Sequence, residues 1–389
     1  MPTTNAAARR SVRLPVDMAM SVIVPARLPE DENQFLAAVS FWGKLVSQFP
    51  LLEVILVTNG TVGEECRKAL EPYKSNVRLQ HIDASALLSS TCKADNLNAG
   101  VRRSTKEIIA FFDVDSRPTI SGLAVGYETV KANGSAVQGP KIIPFLREST
   151  WGAKVACCVS RTESLISLVV LGGMLRERTG TQTYFVGSNG FFPRKVVLET
   201  AFEPLKLAED LDLSIRLSAA GQHIYFNPKA ISYESPPASL RSFAHQHLKW
   251  VGGWIATLSL YSHRISTHPE KRTWFTLLLW PIGIYFVTGA LFVVLSRIAG
   301  LFLAGVAVYC LMVCAVFLIN QRASSRLSRD SSLRERHRMA LNITGSLLYP
   351  INFVFLLVAL CVAVVLGGRV AGRVTRKADP GLKGYEQYI

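Results

Sequence analysis

Short apolar runs alternate with amphipathic stretches along the first part of the chain. Three early runs have the length and composition of strands, at residues 21–25, 54–60 and 77–83. The stretch at 33–48 places apolar residues at helical spacing on one face. Strands that alternate with helices at this spacing indicate right-handed βαβ units in a sheet covered on both faces. The pattern therefore predicts an α/β domain with a mostly parallel sheet, which we place at residues 19–235.

The pattern continues less regularly through the second half of this domain. It predicts a strand at 136–143, a long helical stretch at 151–177, a helix from residue 208 and a last strand at 223–227. Between them, an extended run at 184–192 is broken by glycines, which permit close approach of the backbone to a ligand. We expect residues 116–118 and 228–237 to break the regular structure.

The pattern changes beyond residue 236. Residues 236–272 mix polar and apolar positions as interfacial helices do. Apolar runs at 274–295 and 298–319 carry almost no charge and are long enough to cross a hydrocarbon core of about 30 Å. A third run, 339–366, is interrupted by proline and either spans or re-enters. We therefore predict membrane segments within 273–368.

The distribution of charge predicts how the chain is oriented in the membrane. The chain has 43 Lys and Arg against 28 Asp and Glu, a formal net charge of +15. Much of the excess flanks the apolar runs, in a loop at 320–338 and a tail at 369–389, whereas residues 1–18 form a flexible lead. A basic loop favours the cytoplasmic side. We expect an integral, multi-pass membrane protein with a cytoplasmic α/β domain (at the cell membrane if bacterial), contacting lipid headgroups and nucleotide phosphates. The sequence contains no aromatic-studded basic motif typical of nucleic-acid binding.

Two carboxylates end the apolar run 108–112. Asp113 and Asp115 stand at alternate positions where the predicted strand gives way to a turn. Ligands of open α/β sheets bind beyond the carboxyl ends of the strands. Carboxylates there suit Mg²⁺ or Mn²⁺. The alternative is that both residues cap the helix predicted at 121–131.

Further polar motifs follow Asp113-Val114-Asp115 in a definite order. They are Gly187-Ser188-Asn189-Gly190, Glu209-Asp210 and Gln246-His247-Leu248-Lys249-Trp250, with Lys93-Ala94-Asp95-Asn96-Leu97-Asn98 preceding all of them. Over residues 19–255, this ordered set resembles the family 2 glycosyltransferases with a GT-A fold. In layout it is similar to the membrane-embedded cellulose, hyaluronan, chitin and mannan synthases. The resemblance implies a Rossmann-like GT-A catalytic domain followed by interfacial and transmembrane helices.

The resemblance also implies roles for single residues. Asp113 and Asp115 would hold the metal, and Asp210 would be the base that deprotonates the acceptor, with inversion at the anomeric carbon. Asp212 is an alternative base, and helix capping is an alternative role for Asp210. The nucleotide-sugar contacts would come from Pro25, Asn59, Lys93, Asp113 and Asp115. Contacts to the acceptor or the diphosphate would come from Ser188, Asn189, Glu209, Gln246, Lys249 and Trp250.

Some positions depart from the family pattern. Lys249 stands where the family has arginine, which keeps the charge but loses the bidentate fork. Asn59 replaces an acidic residue at the nucleoside turn. Lys93 could be a solvated lysine at a helix start, and Trp250 an interfacial anchor. In the tail, Thr375 and Lys377 resemble part of a gating loop, although a generic basic tail would look the same.

The function expected from this resemblance is that of a membrane-bound inverting hexosyltransferase. It would use a nucleoside-diphosphate sugar, with UDP preferred, and extend a β-linked polysaccharide. The alternative is transfer of a single sugar to a lipid, as in ceramide glucosyltransferases. An inactive nucleotide-binding scaffold is a third possibility. A zinc site at His245 and His247 is disfavoured, because two histidines without further ligands are more typical of surface or interfacial positions. The oligomeric state is left open.

Overall fold

The computed structural model describes residues 17–85, 92–144, 150–166, 173, 183–204, 208–267, 294, 310–311, 313–322 and 343–349. Within these residues, no helix combines the length and the apolar character needed to cross a membrane. Most of the three long apolar runs lies outside the described residues, as do nearly all of the lead, the basic loop and the tail with Thr375 and Lys377. The described residues of 310–322 and 343–349 are helical.

A seven-stranded sheet forms the centre of the α/β domain. Its order is β3 (Leu79–Asp83), β2 (Glu53–Asn59), β1 (Met20–Arg27), β4 (Ile108–Phe111), β8 (Gly190–Pro193), β6 (Ala136–Gln138) and β9 (Ile224–Phe226). Neighbouring strands are parallel except that β8 runs antiparallel to both β4 and β6. The predicted mostly parallel sheet is confirmed.

Helices cover both faces of this sheet. They are α1 (Glu32–Gln48), α2 (Glu64–Leu70) with a 3₁₀ turn (Glu71–Tyr73), α3 (Lys93–Arg103), α4 (Ile120–Asn133), α5 (Trp151–Glu163), α6 (Arg194–Thr200), α7 (Glu209–Ala219) and α8 (Leu240–Thr267). Alternate residues of β1 enter opposite cores: Val22 and Val24 pack with α1 and α4, and Ile23 packs with α3 and α7. Because side chains alternate along a strand, a run with apolar residues at every position is buried on both sides.

A second, smaller sheet was not predicted. Its order is β5 (Ser116–Pro118), β10 (Ser232–Glu234) and β7 (Lys141–Ile142). Two of these strands lie in segments for which we predicted breaks, and the run predicted as one strand at 136–143 is divided into β6 and β7. These strands are only two or three residues long, and the prolines and polar residues in these segments are typical of turns, so the sequence pattern did not predict the strands. Through this sheet, β5, which follows the turn after β4, pairs with β10 from a much later part of the chain.

Two predicted bounds need correction. Strand β1 does not end at Pro25 but continues to Arg27. The proline is tolerated because the ladder of hydrogen bonds to β4 ends at Ile23. Backbone groups of Ile23 point to the β4 side, and so would those of Pro25 two residues later, so its missing N–H costs no hydrogen bond in the sheet. Within the extended run predicted at 184–192, the strand β8 begins only at Gly190.

Candidate active site

Three carboxylates meet where the two sheets adjoin. Asp113 and Asp115 lie in the turn between β4 and β5, and Glu234 on β10 pairs in register with Ser116 on β5. One oxygen from each carboxylate can be chosen so that all three lie within 4.8 Å of one another. Asp115 and Glu234 are buried, and Asp113 is partly exposed. Three hard oxygen donors at this spacing fit a Mg²⁺ or Mn²⁺ ion. We call Asp113, Asp115 and Glu234 the acidic cluster.

Lys93, the first residue of α3, joins this cluster to a second pair of carboxylates. Its Nζ lies 2.6 Å from Asp113 Oδ1, 3.0 Å from the Gly187 carbonyl oxygen and 3.6 Å from Glu209 Oε1. Burial alone would lower the pKa of Lys93, but the charges of Asp113 and Glu209 and the hydrogen bond to Asp113 outweigh burial and raise the pKa. Lys93 is thus a charged bridge and not a solvated lysine.

Asp210 belongs to the same site. A methyl group placed on Gly187, whose φ is +79°, would lie 3.0 Å from Asp210 Oδ2 and 3.3 Å from Lys93 Nζ. Burial, followed by repulsion from Glu209, raises the pKa of Asp210 to about 6, although Lys93, the Leu211 N–H and Lys141 oppose this shift. A carboxyl group with this pKa is mostly ionised at neutral pH and can accept a proton.

Asp212 lies two residues further along α7 in a different environment. Its Oδ1 accepts a hydrogen bond of 2.6 Å from the Tyr261 hydroxyl, and its Oδ2 lies 2.8 Å from Arg216 Nη2. Only 1% of its side chain is exposed. A carboxylate whose two oxygens are both engaged and buried is poorly placed to take a proton from a substrate, which favours Asp210 over Asp212 as the base.

Ser188 and Asn189 lie behind the acidic cluster. Ser188 Oγ accepts a hydrogen bond of 2.9 Å from the Asp113 N–H and lies 2.9 Å from Ser116 Oγ. Asn189, at a φ of +54°, donates from Nδ2 to the carbonyl oxygens of Pro140 and Ala230, both at 2.8 Å. These contacts hold the turn after β4 and the junction of the two sheets. Roles towards the acceptor or diphosphate stay predictions.

Pro25 and Asn59 lie in adjacent strands. Both are buried, Pro25 in β1 and Asn59 at the end of β2. The Asn59 amide donates a long hydrogen bond of 3.5 Å to Asn96 on α3. Asn59 therefore contacts the helix that begins with Lys93, and its role at the nucleoside stays a prediction, as does that of Pro25.

The motif on α8 spans residues of contrasting burial. Gln246 is partly buried, and Lys249 and Trp250 are exposed. Within the described residues, none of the three makes a hydrogen bond or an ion pair with the acidic cluster, so their predicted roles stay predictions.

His247 is the buried member of this motif, and it is not the surface or interfacial residue that we expected. Its Nε2 lies 3.0 Å from both carboxylate oxygens of Glu163 on α5, and its Nδ1 lies 2.9 Å from the Phe243 carbonyl oxygen. Burial alone would lower the pKa of His247, but Glu163 outweighs burial and raises it. The imidazole ring also packs 5.1 Å from the indole of Trp250. The His247–Glu163 pair therefore joins α8 to α5.

Two charged residues of the site escaped the sequence analysis. Glu234 completes the acidic cluster, and Lys141 Nζ lies 2.9 Å from Glu234 Oε2 and 3.4 Å from the Val186 carbonyl oxygen. A usable signal was present in Ile231-Ser232-Tyr233-Glu234, where apolar and polar residues alternate as in a strand. The neighbouring prolines led us to predict a break there.

A comparison with protein-family models identifies the family of this chain. The model of "Glycosyl transferase family group 2" matches residues 108–321. Among curated proteins, the chain is similar to "Probable glycosyltransferase YdaM" of Bacillus subtilis (strain 168), at 25% identity over 163 residues. That match covers 41% of this chain and 38% of the relative, so it spans well under half of either protein.

One solved structure supports the fold. The mannosyltransferase PcManGT from Pyrobaculum calidifontis, solved with GDP-Man and Mn²⁺, aligns over 90% of this chain and 88% of its own, with a TM-score of 0.50 at 14% identity. A weaker likeness is to glucosyl-3-phosphoglycerate synthase from Mycobacterium tuberculosis, solved with Mn²⁺, UDP and glucosyl-3-phosphoglycerate. Its TM-score is 0.38 at 17% identity, over 56% of this chain and 71% of that one.

Proposed function

This chain belongs to glycosyl transferase family group 2, and from that membership we propose that it moves a sugar from a nucleoside-diphosphate donor to an acceptor hydroxyl with inversion. The donor proposed first is a UDP-sugar. A GDP-sugar is the second to test, because PcManGT was solved with GDP-Man. The acidic cluster would hold a Mg²⁺ or Mn²⁺ ion, which when bound would neutralise charge on the departing diphosphate.

The bridge made by Lys93 carries this proposal. Lys93 contacts Asp113 on one side and Glu209 on the other, so the acidic cluster and Asp210 serve a single site. Asp210, ionised at neutral pH, takes the proton from the attacking hydroxyl. A single attack assisted by one base inverts the anomeric carbon, which turns an α-linked donor into a β-linked product.

Membrane attachment and the acceptor are proposed from the sequence. The apolar runs at 274–295, 298–319 and 339–366 support a multi-pass protein whose catalytic domain faces the cytoplasm. The acceptor proposed first is a growing β-linked polysaccharide. The small number of apolar runs favours a second candidate, a lipid that receives one sugar, because a polymer needs a path through the membrane.

The test uses the full chain in purified membranes with labelled UDP- and GDP-sugars and with Mn²⁺ or Mg²⁺. We expect metal-dependent transfer to a β-linked product, with anomeric configuration read by NMR. A ladder of products supports the polysaccharide, and a single glycolipid supports the lipid acceptor. The matched variants are Asp210→Asn and, as a control, Glu199→Gln at an exposed position of α6. Full turnover in Asp210→Asn would refute the assigned base, and no turnover of any donor by the unaltered chain would support the scaffold.

A further inference from the structure

Lys141 is a cation at the acidic cluster for which the reaction described above has no use. It begins β7, and its ammonium group contacts Glu234 at 2.9 Å and the Val186 carbonyl oxygen at 3.4 Å. The side chain is only 16% exposed. A lysine is rarely buried to this degree unless its charge is paired.

Lys93 and Lys141 hold corresponding positions at the two ends of the cluster. Lys93 contacts Asp113 and the carbonyl oxygen of Gly187, whereas Lys141 contacts Glu234 and the carbonyl oxygen of Val186. The two ammonium groups thus contact the carbonyl oxygens of two consecutive residues, Val186 and Gly187, and each pairs with one member of the acidic cluster. This arrangement brings two positive charges to the edges of a site suited to a divalent cation.

The two lysines differ in how many partners they have. An ammonium group has three N–H donors. Within the described residues, Lys93 contacts three oxygen-bearing groups, and Lys141 contacts two. Lys141 can therefore donate to a phosphate oxygen without losing either of its present contacts.

We propose that Lys141 is a residue that binds the β-phosphate of the nucleoside diphosphate, a proposal that rests on the function proposed above. We choose the β-phosphate over the α-phosphate from the position of Asp210. Asp210 acts at the sugar, which is bonded to the β-phosphate. Lys141 contacts the Val186 carbonyl oxygen, and the next residue, Gly187, borders Asp210. The charge of Lys141 also reaches Asp210, where it opposes the upward shift of the pKa.

Lys249 is the residue that the sequence suggested for the diphosphate. It is exposed on α8 and has no ion pair with the acidic cluster within the described residues. Lys141 already lies at the cluster, so it supplies the charge there without any movement of α8. A merely neutralising role for Lys141 towards Glu234 makes a different prediction, because such a role would be dispensable once Glu234 loses its charge.

The experiment measures the affinity of the full chain in detergent for UDP, GDP, UMP and GMP by titration calorimetry, with Mn²⁺ and with EDTA. We compare the unaltered chain with Lys141→Met, with Lys141→Arg, which keeps the charge, and with a control, Lys154→Met, at an exposed position of α5. Loss of one charge-assisted hydrogen bond should weaken diphosphate binding about tenfold in Lys141→Met. We expect the monophosphates to change less than about twofold, and Lys141→Arg to retain most of the affinity.

A double variant, Lys141→Met with Glu234→Gln, separates the two roles in EDTA. We expect its diphosphate affinity to remain weak, whereas recovery to the level of the unaltered chain would mean that Lys141 only neutralises Glu234. Equal losses for diphosphates and monophosphates would also overturn the proposal. If Lys141→Met unfolds early in a thermal scan, the double variant replaces it, because Glu234→Gln removes the carboxylate that would be left unpaired. A diphosphate affinity in EDTA equal to that of Glu234→Gln alone would then overturn the proposal. An unaltered chain that binds neither UDP nor GDP would overturn the proposed function together with this inference.

Discussion

Asp210 and Asp212 are two residues apart on the first turn of α7, yet their surroundings are opposite. Both oxygens of Asp212 are engaged, by the Tyr261 hydroxyl and by Arg216. Asp210 accepts one backbone N–H at 2.8 Å, from Leu211, and lies close enough to Glu209 to be repelled by it. The carboxylate with balanced charges stabilises the packing of α7 on α8, and the carboxylate with a perturbed pKa is available for chemistry.

The comparison extends to the two regions that these residues occupy. We call the contacts of Asp212 with Tyr261 and Arg216, where α7 packs on α8, the helix junction. There, Arg216 also donates to the carbonyl oxygen of Ala201 at 2.8 Å, so the charge of Asp212 is balanced within a hydrogen-bonded network. At the acidic cluster, three carboxylates converge within 4.8 Å, and Lys93 and Lys141 pair with two of them, Asp113 and Glu234. Carboxylates this close together repel one another unless cations bind between them, which is what the proposed metal ion would supply at the acidic cluster.

The largest expected effect comes from Asp210→Asn. We expect the turnover number to fall by about 10²- to 10⁴-fold, because the amide cannot accept the proton of the attacking hydroxyl. The thermal midpoint should stay the same or rise, since the repulsion with Glu209 is removed. The check is transfer of labelled sugar alongside a thermal unfolding scan. A variant that retains turnover but loses stability would reverse the roles of the two aspartates.

Asp212→Asn tests the other side of the comparison. It leaves Arg216 without its buried carboxylate, which should lower the free energy of unfolding by about 3 kcal/mol. Urea unfolding of the detergent-purified chain measures this change. At a temperature where the variant remains folded, we expect its turnover to stay within a few-fold of the unaltered chain. A collapse of turnover without a loss of stability would mean that Asp212 takes part in the reaction.

Changes in the acidic cluster should appear in metal binding. Asp115→Asn and Glu234→Gln each remove a charged oxygen donor, and we expect each to weaken Mn²⁺ affinity by at least about tenfold. Electron paramagnetic resonance of free Mn²⁺ measures the affinity without reference to activity. The exposed Glu199→Gln variant should bind as the unaltered chain does. Unchanged Mn²⁺ affinity in Glu234→Gln would reduce the cluster to its two aspartates.

The pH dependence should follow Asp210. Because burial and Glu209 raise its pKa to about 6, kcat/KM should fall about tenfold per pH unit below pH 6, as the base becomes protonated. The charged groups that face Asp210 are Glu209, Lys93 and Lys141. Glu209→Gln removes a repulsion and should move this acid limb to lower pH. An acid limb that stays in place in Glu209→Gln would point to another titrating group.

Tyr261→Phe should have the smallest effect. It removes one hydrogen bond to the buried carboxylate of Asp212 and leaves Arg216 in place, so we expect a loss of about 2 kcal/mol in the free energy of unfolding. The pH profile of transfer should not change, because the hydrogen bond that is lost is to Asp212 and not to Asp210. A shifted acid limb in this variant would show that the helix junction and the acidic cluster are coupled through α7.

The chemistry of strand ends was readable from the sequence. The apolar run ending in Asp113 and Asp115 predicted a strand followed by paired carboxylates, and the alternation of runs predicted the mostly parallel sheet. Asp210 entered through the resemblance of Glu209-Asp210 to a family motif. Each of these signals is local, because periodicity and turn residues are properties of a few consecutive positions.

Only the tertiary structure decided which charges meet. Glu234 reaches the acidic cluster because β10 pairs with β5, and Lys141 reaches it because β7 pairs with β10. The contrast between Asp210 and Asp212 depends on Tyr261 of a separate helix. Strands of two or three residues show at most one or two alternations of apolar and polar positions, which neighbouring prolines outweigh, and their pairing is set by long-range contacts. The sequence therefore determined the sheet and its two aspartates, and the packing of distant segments determined the complete set of charges around them.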